Sequence, residues 1–357
     1  MIMESAHSAK KLLDEISSES LQHLFSSVRF ESSPPGSTDI AALDAHLFAT
    51  ARRHPSSGSS LNCGDIIEIQ GVPASGKTHL LYHLIITCIS PCDLRGWAKA
   101  AIILDTDRSF DILRLKNLFL SRLTGANSSG SGAYSPEEAN SLVIQCLRNL
   151  HVFRISSSTQ LAATLLHLPE YHTAHLPDSE IGLLAIDSIS AFYWPDRFTA
   201  ENHRSAPSGA PSVANPLQHV LVALQTFRAS HMPVIVLTNW GLSHLTKQPA
   251  PNAAAPVFYR QHLHPYPNPF GNAAQETLPH APAALLSITH HITMSMVHTP
   301  LPYPSNSEES SLAENESAQL TKWPEKAAFM GLVRTPGNSR LGRFTFHIGK
   351  DAYSTTG

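Results

Sequence analysis

The chain has 357 residues, 15% of them charged, and a formal net charge of -3 at pH 7. That length can bury a full core and house an enzyme, while the near-neutral charge excludes a polycation that coats nucleic acid with its whole surface. Its four cysteines, Cys63, Cys88, Cys92 and Cys146, form no CxxC pair and no disulfide framework, the usage expected in a reducing compartment.

From the N-terminus, acids and bases mix without the apolar centre of a signal peptide, and no run approaches the roughly eighteen apolar residues of a membrane span. A soluble, intracellular chain is expected. Residues 8–24 have the spacing of one amphipathic helix, ended by "ESSPPGS". Residues 1–58 therefore read as a short helical and linker segment, and 59–357 as the core.

Within the core, "DIIEIQ", "AAIILDTD", "HVFRIS", "GLLAIDS" and "PVIVLTNW" are short β-branched runs bounded by turn residues. Helical patterns lie between them: "KTHLLYHLIITCI", "FDILRLKNLFLSRL", "PEEANSLVIQCLRNL", "STQLAATLLHL" and "PLQHVLVALQTFRASH". This alternation predicts an α/β fold, a mostly parallel central sheet with helices on both faces. Farther on, "ALLSITHHITMSMV", "KAAFMGLV" and "GRFTFHIG" are C-terminal strands that extend the sheet, with "RTPGNSR" as the turn between the last two and antiparallel pairing as one option. Four Ser-, Pro- and Gly-rich insertions, 124–135, 199–215, 247–282 and 300–319, are expected to be disordered.

Histidine is abundant, at 21 residues, but HExxH is absent. The patches "RQHLHPYP" and "ITHHITM" lack cysteine or carboxylate partners at ligand spacing, so strand packing and loop composition explain them better than metal.

The chemistry starts at "QGVPASGKTH". Gly71, Gly76, Lys77 and Thr78 match G-x-x-x-x-G-K-[ST] between a strand and a helix. Glycines let backbone N–H groups of Gly71 through His79 (Val72, Pro73, Ala74 and Ser75 between, proline excepted) close around phosphate oxygens at a helix N-terminus. In such a loop Lys77 bridges the terminal phosphates and Thr78 ligates magnesium. The matching acid at the end of a neighbouring strand is Asp187 of "GLLAIDS", a second magnesium candidate. A further acid that orients the attacking water is sought in "AIILDTDRSF", where Asp107, rather than Asp105, lies past the buried run. The same stretch fails as a calcium loop, with Phe110 where glycine is needed.

With those segments placed, the chain resembles the RecA/recombinase paralogue family through "GDIIEIQGVPASGKTHLLYHLIITCI", "AIILDTDRSFDILRL", "SSSTQLAATLLHL" and "IDSISAFYWPDR". The likeness covers roughly residues 60–240 well and the C-terminal strands loosely. It implies a RecA-like P-loop NTPase core that binds ATP and Mg2+. It further implies a nuclear subunit of homologous recombination and DNA double-strand break repair, joined to other recombinase paralogues in a hetero-oligomeric complex and assisting the main recombinase on single-stranded or branched DNA.

Against active members of that family, this chain has aspartate rather than glutamate at Asp107, which sets the carboxylate about one methylene back and implies slow turnover. Trp240 stands at or near the place of a phosphate-sensing glutamine. Two readings of it stay open: stacking on a base, or packing under the loop that follows. Arg197 and Arg204 fall in a region that touches DNA in recombinases. Farther along, Lys322, Lys326, Arg334, Arg340, Arg343 and Lys350 face Glu325 alone in residues 322–350, a local charge of +5. Such a stretch is either a phosphate-tracking hairpin or a solvated, aggregation-guarded sheet edge. The subunit-joining pattern Phe-x-x-Ala occurs at Phe48 and Ala51 and again at Phe270 and Ala273, a frequency expected by chance.

Three functional readings result. In the first, ATP stabilises a subunit interface and is hydrolysed weakly; in the second, Lys77, Thr78, Asp107 and Asp187 form a robust DNA-stimulated ATPase. The third is a scaffold with a vestigial pocket. A P-loop GTPase or kinase is disfavoured, since no N-K-x-D motif or arginine-rich lid is present.

Overall fold

The computed structural model describes residues 35–50, 59–124, 134–204, 215–245, 258–270, 286–297, 326–349 and 353–356. The expected helix at 8–24, the insertion at 300–319 and most of the other three insertions lie outside them. In chain order the elements are α1 (Ala41–Thr50), β1 (Ile66–Gly71), α2 (Lys77–Ile89), β2 (Ala100–Asp105), α3 (Ile112–Thr124), α4 (Pro136–Leu147), β3 (Leu150–Arg154) and α5 (Ser158–His175). They continue as β4 (Ile181–Asp187), α6 (Tyr193–Arg204), α7 (Pro216–His231), β5 (Val234–Trp240), β6 (His290–Met296), β7 (Lys326–Arg334), β8 (Leu341–Gly349) and β9 (Tyr353–Thr356).

The strands form one sheet in the order β3-β2-β4-β5-β1-β6-β7-β8-β9. Pairing is parallel from β3 to β6 and antiparallel from β6 to β9. The fold is thus the α/β arrangement expected, with the C-terminal strands as an antiparallel extension.

Alternation along each strand assigns side chains to two cores. On one face Ile67, Ile69, Ile103, Ala185 and Val236 pack with α2, α3 and α4. On the other, Ile66, Ile102, Ile186 and Ile235 pack with α5 and α7. The central strands are buried on both sides, which is why they read as continuous apolar runs rather than alternating ones.

Local signals set the helix starts. Ser135 and Glu138 form a reciprocal capping box before α4, and Asn215 accepts from the Leu217 N–H to start α7 at Pro216. Helix α5 runs on past Pro169 to His175. Residues 199–204, within the second insertion, form the last part of α6.

Helix α1 joins the main core through Leu43 and Leu47, with Ile40 just before it. Its His46 and Thr50 hydrogen-bond the Thr335 hydroxyl at the β7–β8 turn. Within the 247–282 insertion, residues 258–270 lie on the sheet, with Tyr259, Leu263 and Tyr266 buried.

Candidate functional site

The sheet order puts β5 between β1 and β4, so the loop after β1 and the acid that ends β4 open at the same C-terminal edge. In parallel α/β sheets that edge is where ligands bind. The loop itself is Gly71 through Gly76. Ala74 (φ 60°) and Gly76 (φ 89°) are left-handed, which curls the backbone into a concavity of the kind that takes anions. A Cβ at Gly71 would meet the Met294 carbonyl on β6, and one at Gly76 would press on the Phe329 ring of β7. The motif glycines are required by close approach as well as by backbone angle.

Lys77, Thr78 and His79 form the first turn of α2. No side chain caps that helix and its first turn carries no acid, which leaves the positive end of the helix dipole directed at the loop. The Lys77 ammonium donates to the carbonyls of Gly71 (2.9 Å) and Val72 (2.8 Å). Thr78 Oγ1 donates to Asp187 Oδ2 at 2.9 Å, and Thr238 Oγ1 of β5 donates to Asp187 Oδ1. Asp187 is only 2% exposed. Burial pushes its carboxyl upward, opposed by the Thr238 hydrogen bond, while burial pushes the Lys77 ammonium down, opposed by Asp187 and then Asp107. Burial also lowers His79, to about 4.

Two acids stand at the end of β2. Asp105 pairs in register with Asp187 and is buried; burial and Asp107 push its carboxyl up, opposed by the backbone of Phe110, Arg108 and Ser109, and its Oδ1 has no partner. Asp107 is exposed, accepts from the Ser109 N–H at 3.0 Å, and acts electrostatically on both Lys77 and Asp187. Four of the residues singled out in the sequence, Lys77, Thr78, Asp107 and Asp187, are therefore brought together. Trp240 ends β5 opposite Gly71 and is half-buried; its N–H donates to Ser190 Oγ at 3.1 Å.

The arginines singled out in the sequence lie on different elements. Arg197 is exposed on α6, tied to Glu201 (2.8 Å) and the Tyr193 hydroxyl (2.9 Å). Arg204 ends α6. Arg340 and Arg343 are exposed, the first in the β7–β8 turn and the second on β8. Arg334 instead turns inward, its guanidinium between the rings of Phe258 (3.8 Å) and Phe270 (4.0 Å) and 3.2 Å from His291 Nδ1. Burial lowers Arg334 to about 10. Lys322, Lys350 and Ala51 lie outside the described residues, while Phe48 sits exposed on α1.

Sequence reasoning passed over Thr238, Tyr259 and Glu68. The signal for Thr238 was a hydroxyl inside the apolar run "VIVLTNW", third from the strand end. Glu68 is a carboxylate in the middle of a fully buried strand, bonded by Asn239 Nδ2 (2.7 Å) and Gln261 Nε2 (3.3 Å).

The sequence has relatives among known proteins. The chain is 37% identical over 162 residues to the mouse (Mus musculus) DNA repair protein XRCC2, a match covering 45% of this chain and 50% of that protein. It is similar to XRCC2-type recombinase paralogues. With the Arabidopsis thaliana DNA repair protein XRCC2 homolog the identity is 30% over 219 residues, 53% of this chain and 58% of that one. The DNA repair protein RAD51 homolog 3 of Cricetulus griseus is 26% identical over 188 residues, 51% and 48% respectively. The chain thus spans about half the length of the curated relatives it matches, and no family model matches it. These likenesses make the sheet a RecA-like core. Among the described residues no helix is long and apolar enough to cross a membrane.

Proposed function

We propose that the chain is an ATP-binding recombinase-paralogue subunit of homologous recombination and DNA double-strand break repair. It acts in the nucleus, in a hetero-oligomeric complex with other paralogues, and assists the main recombinase on single-stranded or branched DNA. The observation that carries the reading is the Lys77, Thr78 and Asp187 constellation at an uncapped helix N-terminus, in a chain similar to proteins named for DNA repair.

The residues present fit ATP and Mg2+. The loop glycines leave no room for a Cβ, the Ser75 hydroxyl is buried without a partner, and Asp187 is a buried carboxylate whose desolvation a bound cation would offset. Lys77 and the backbone N–H groups of the loop would hold the phosphates, and Thr78 and Asp187 the cation. Bound Mg2+ supplies charge neutralisation at the terminal phosphates. Asp107 orients the attacking water from one methylene farther back than a glutamate, so hydrolysis is slow and ATP acts mainly as assembly energy. The test is turnover by the purified protein, alone and with its co-purifying partner, with and without single-stranded DNA. Near-background turnover with ATP-dependent assembly supports the reading.

The second reading, a DNA-stimulated ATPase, draws on Asp107 lying within electrostatic reach of Lys77 and Asp187. It is the correct one if DNA raises turnover to about one per second or more.

A further inference from the structure

We propose that residues 258–270 form a strap that sets the shape of the phosphate loop, with Tyr259 as its positioning residue at the loop and Arg334 as its anchor on the sheet. The consequence for ATP rests on the nucleotide reading above. The strap itself does not.

Tyr259 sits where three chain segments meet. Its hydroxyl lies beside the backbone of Val72, the second residue of the loop. Its ring covers Gly241 so closely that a Cβ there would lie 2.7 Å from the ring. Gly241 in turn donates its N–H to the Gly71 carbonyl at 2.9 Å, one of the two carbonyls that hold the Lys77 ammonium. The backbone around Tyr259 is laid on the chain after β5: Leu245 N–H bonds the Phe258 carbonyl (2.7 Å) and Arg260 N–H the Ser243 carbonyl (2.8 Å).

The rest of the strap is fastened to the sheet. Gln261 donates to Glu68 on β1, and Phe258 and Phe270 close on both faces of Arg334. Cation–π contact on two faces of a desolvated guanidinium is a strong, orientation-specific anchor. Leu263 and Tyr266 enter the core on the α5 and α7 side. A segment packed on Gly241 by Tyr259, bonded to β1 by Gln261 and held on β7 by Arg334 restrains the loop at its β1 end.

The test compares wild type with Tyr259→Leu, which removes the ring from Gly241. Two readouts are taken: hydrogen exchange of the peptide containing Val72 without nucleotide, and the dissociation constant of ATP with Mg2+. Faster Val72 exchange and about five-fold weaker ATP binding are expected. Arg334→Met is expected to speed exchange across 258–270 as well. Unchanged Val72 exchange in Tyr259→Leu overturns the strap. Faster exchange in a protein that binds no ATP upholds it and overturns the nucleotide reading instead.

Discussion

Thr78 Oγ1 and Asp187 Oδ2 meet at 2.9 Å across 109 residues of sequence. The two come together because β1 and β4 end at the same edge with only β5 between them, and Thr238 on that intervening strand holds the other carboxylate oxygen. Removing one partner leaves a buried oxygen unsatisfied, at a cost of about 1–3 kcal/mol. Thr238→Val is therefore expected to lower stability by that amount in denaturant unfolding. A neutral Thr238→Val shows that the hydrogen bond contributes nothing.

Much of this was legible in the chain because burial and local chemistry agree. Double-sided burial made the central parallel strands continuous apolar runs, and the Asn215-Pro216 pair marked the start of α7. Helix α6 was missed because Pro195 reads as a breaker, whereas in a first turn its missing N–H is one that would go unpaired anyway. The phosphate loop was legible since its spacing is local. The inward turn of Arg334 was not, because Phe258 and Phe270 are remote from it in sequence and are brought to it only by the fold.

Glu68 and His291 give the protein opposite pH slopes. Burial lifts the Glu68 carboxyl from 4.5 to about 7, against the Asn239, Gln261 and Arg334 interactions. The folded state therefore binds that proton more tightly, and stability falls as pH rises from 4.5 to about 7. Burial lowers His291 from 6.5 to about 3, with Arg334 adding to it; the unfolded state takes that proton, and stability falls as pH drops from 6.5 to about 3. Glu68→Gln removes the first slope. Its thermal midpoint relative to wild type should rise across the window from 4.5 to about 7 in calorimetry, and parallel curves would contradict the assignment.

The basic residues of the C-terminal hairpin should separate by role. Arg340 and Arg343 are exposed and Arg334 is clamped. If the hairpin tracks phosphates, Arg340→Ala with Arg343→Ala reduces the salt slope of single-stranded DNA binding by about one for each phosphate no longer neutralised, and leaves stability alone. Arg334→Ala should instead lower the thermal midpoint. A double variant with unchanged DNA affinity marks the hairpin as a solvated sheet edge.

Asp107→Glu adds the methylene whose absence limits hydrolysis on the proposed reading. Single-turnover measurement should show faster cleavage with ATP affinity unchanged. An unaltered rate would mean that the acid's reach does not limit the reaction.

Whether the loop from Gly71 to Gly76 and Asp187 make a nucleotide site is decided by equilibrium binding of ATP with Mg2+, measured by calorimetry on wild type, Lys77→Ala and Asp187→Asn. Saturable one-to-one binding by wild type is predicted, weakened by about ten-fold or more, roughly 1.4 kcal/mol, in each variant. Wild type that binds no ATP, or variants that bind as well as wild type, would contradict the assignment of this loop and its acid.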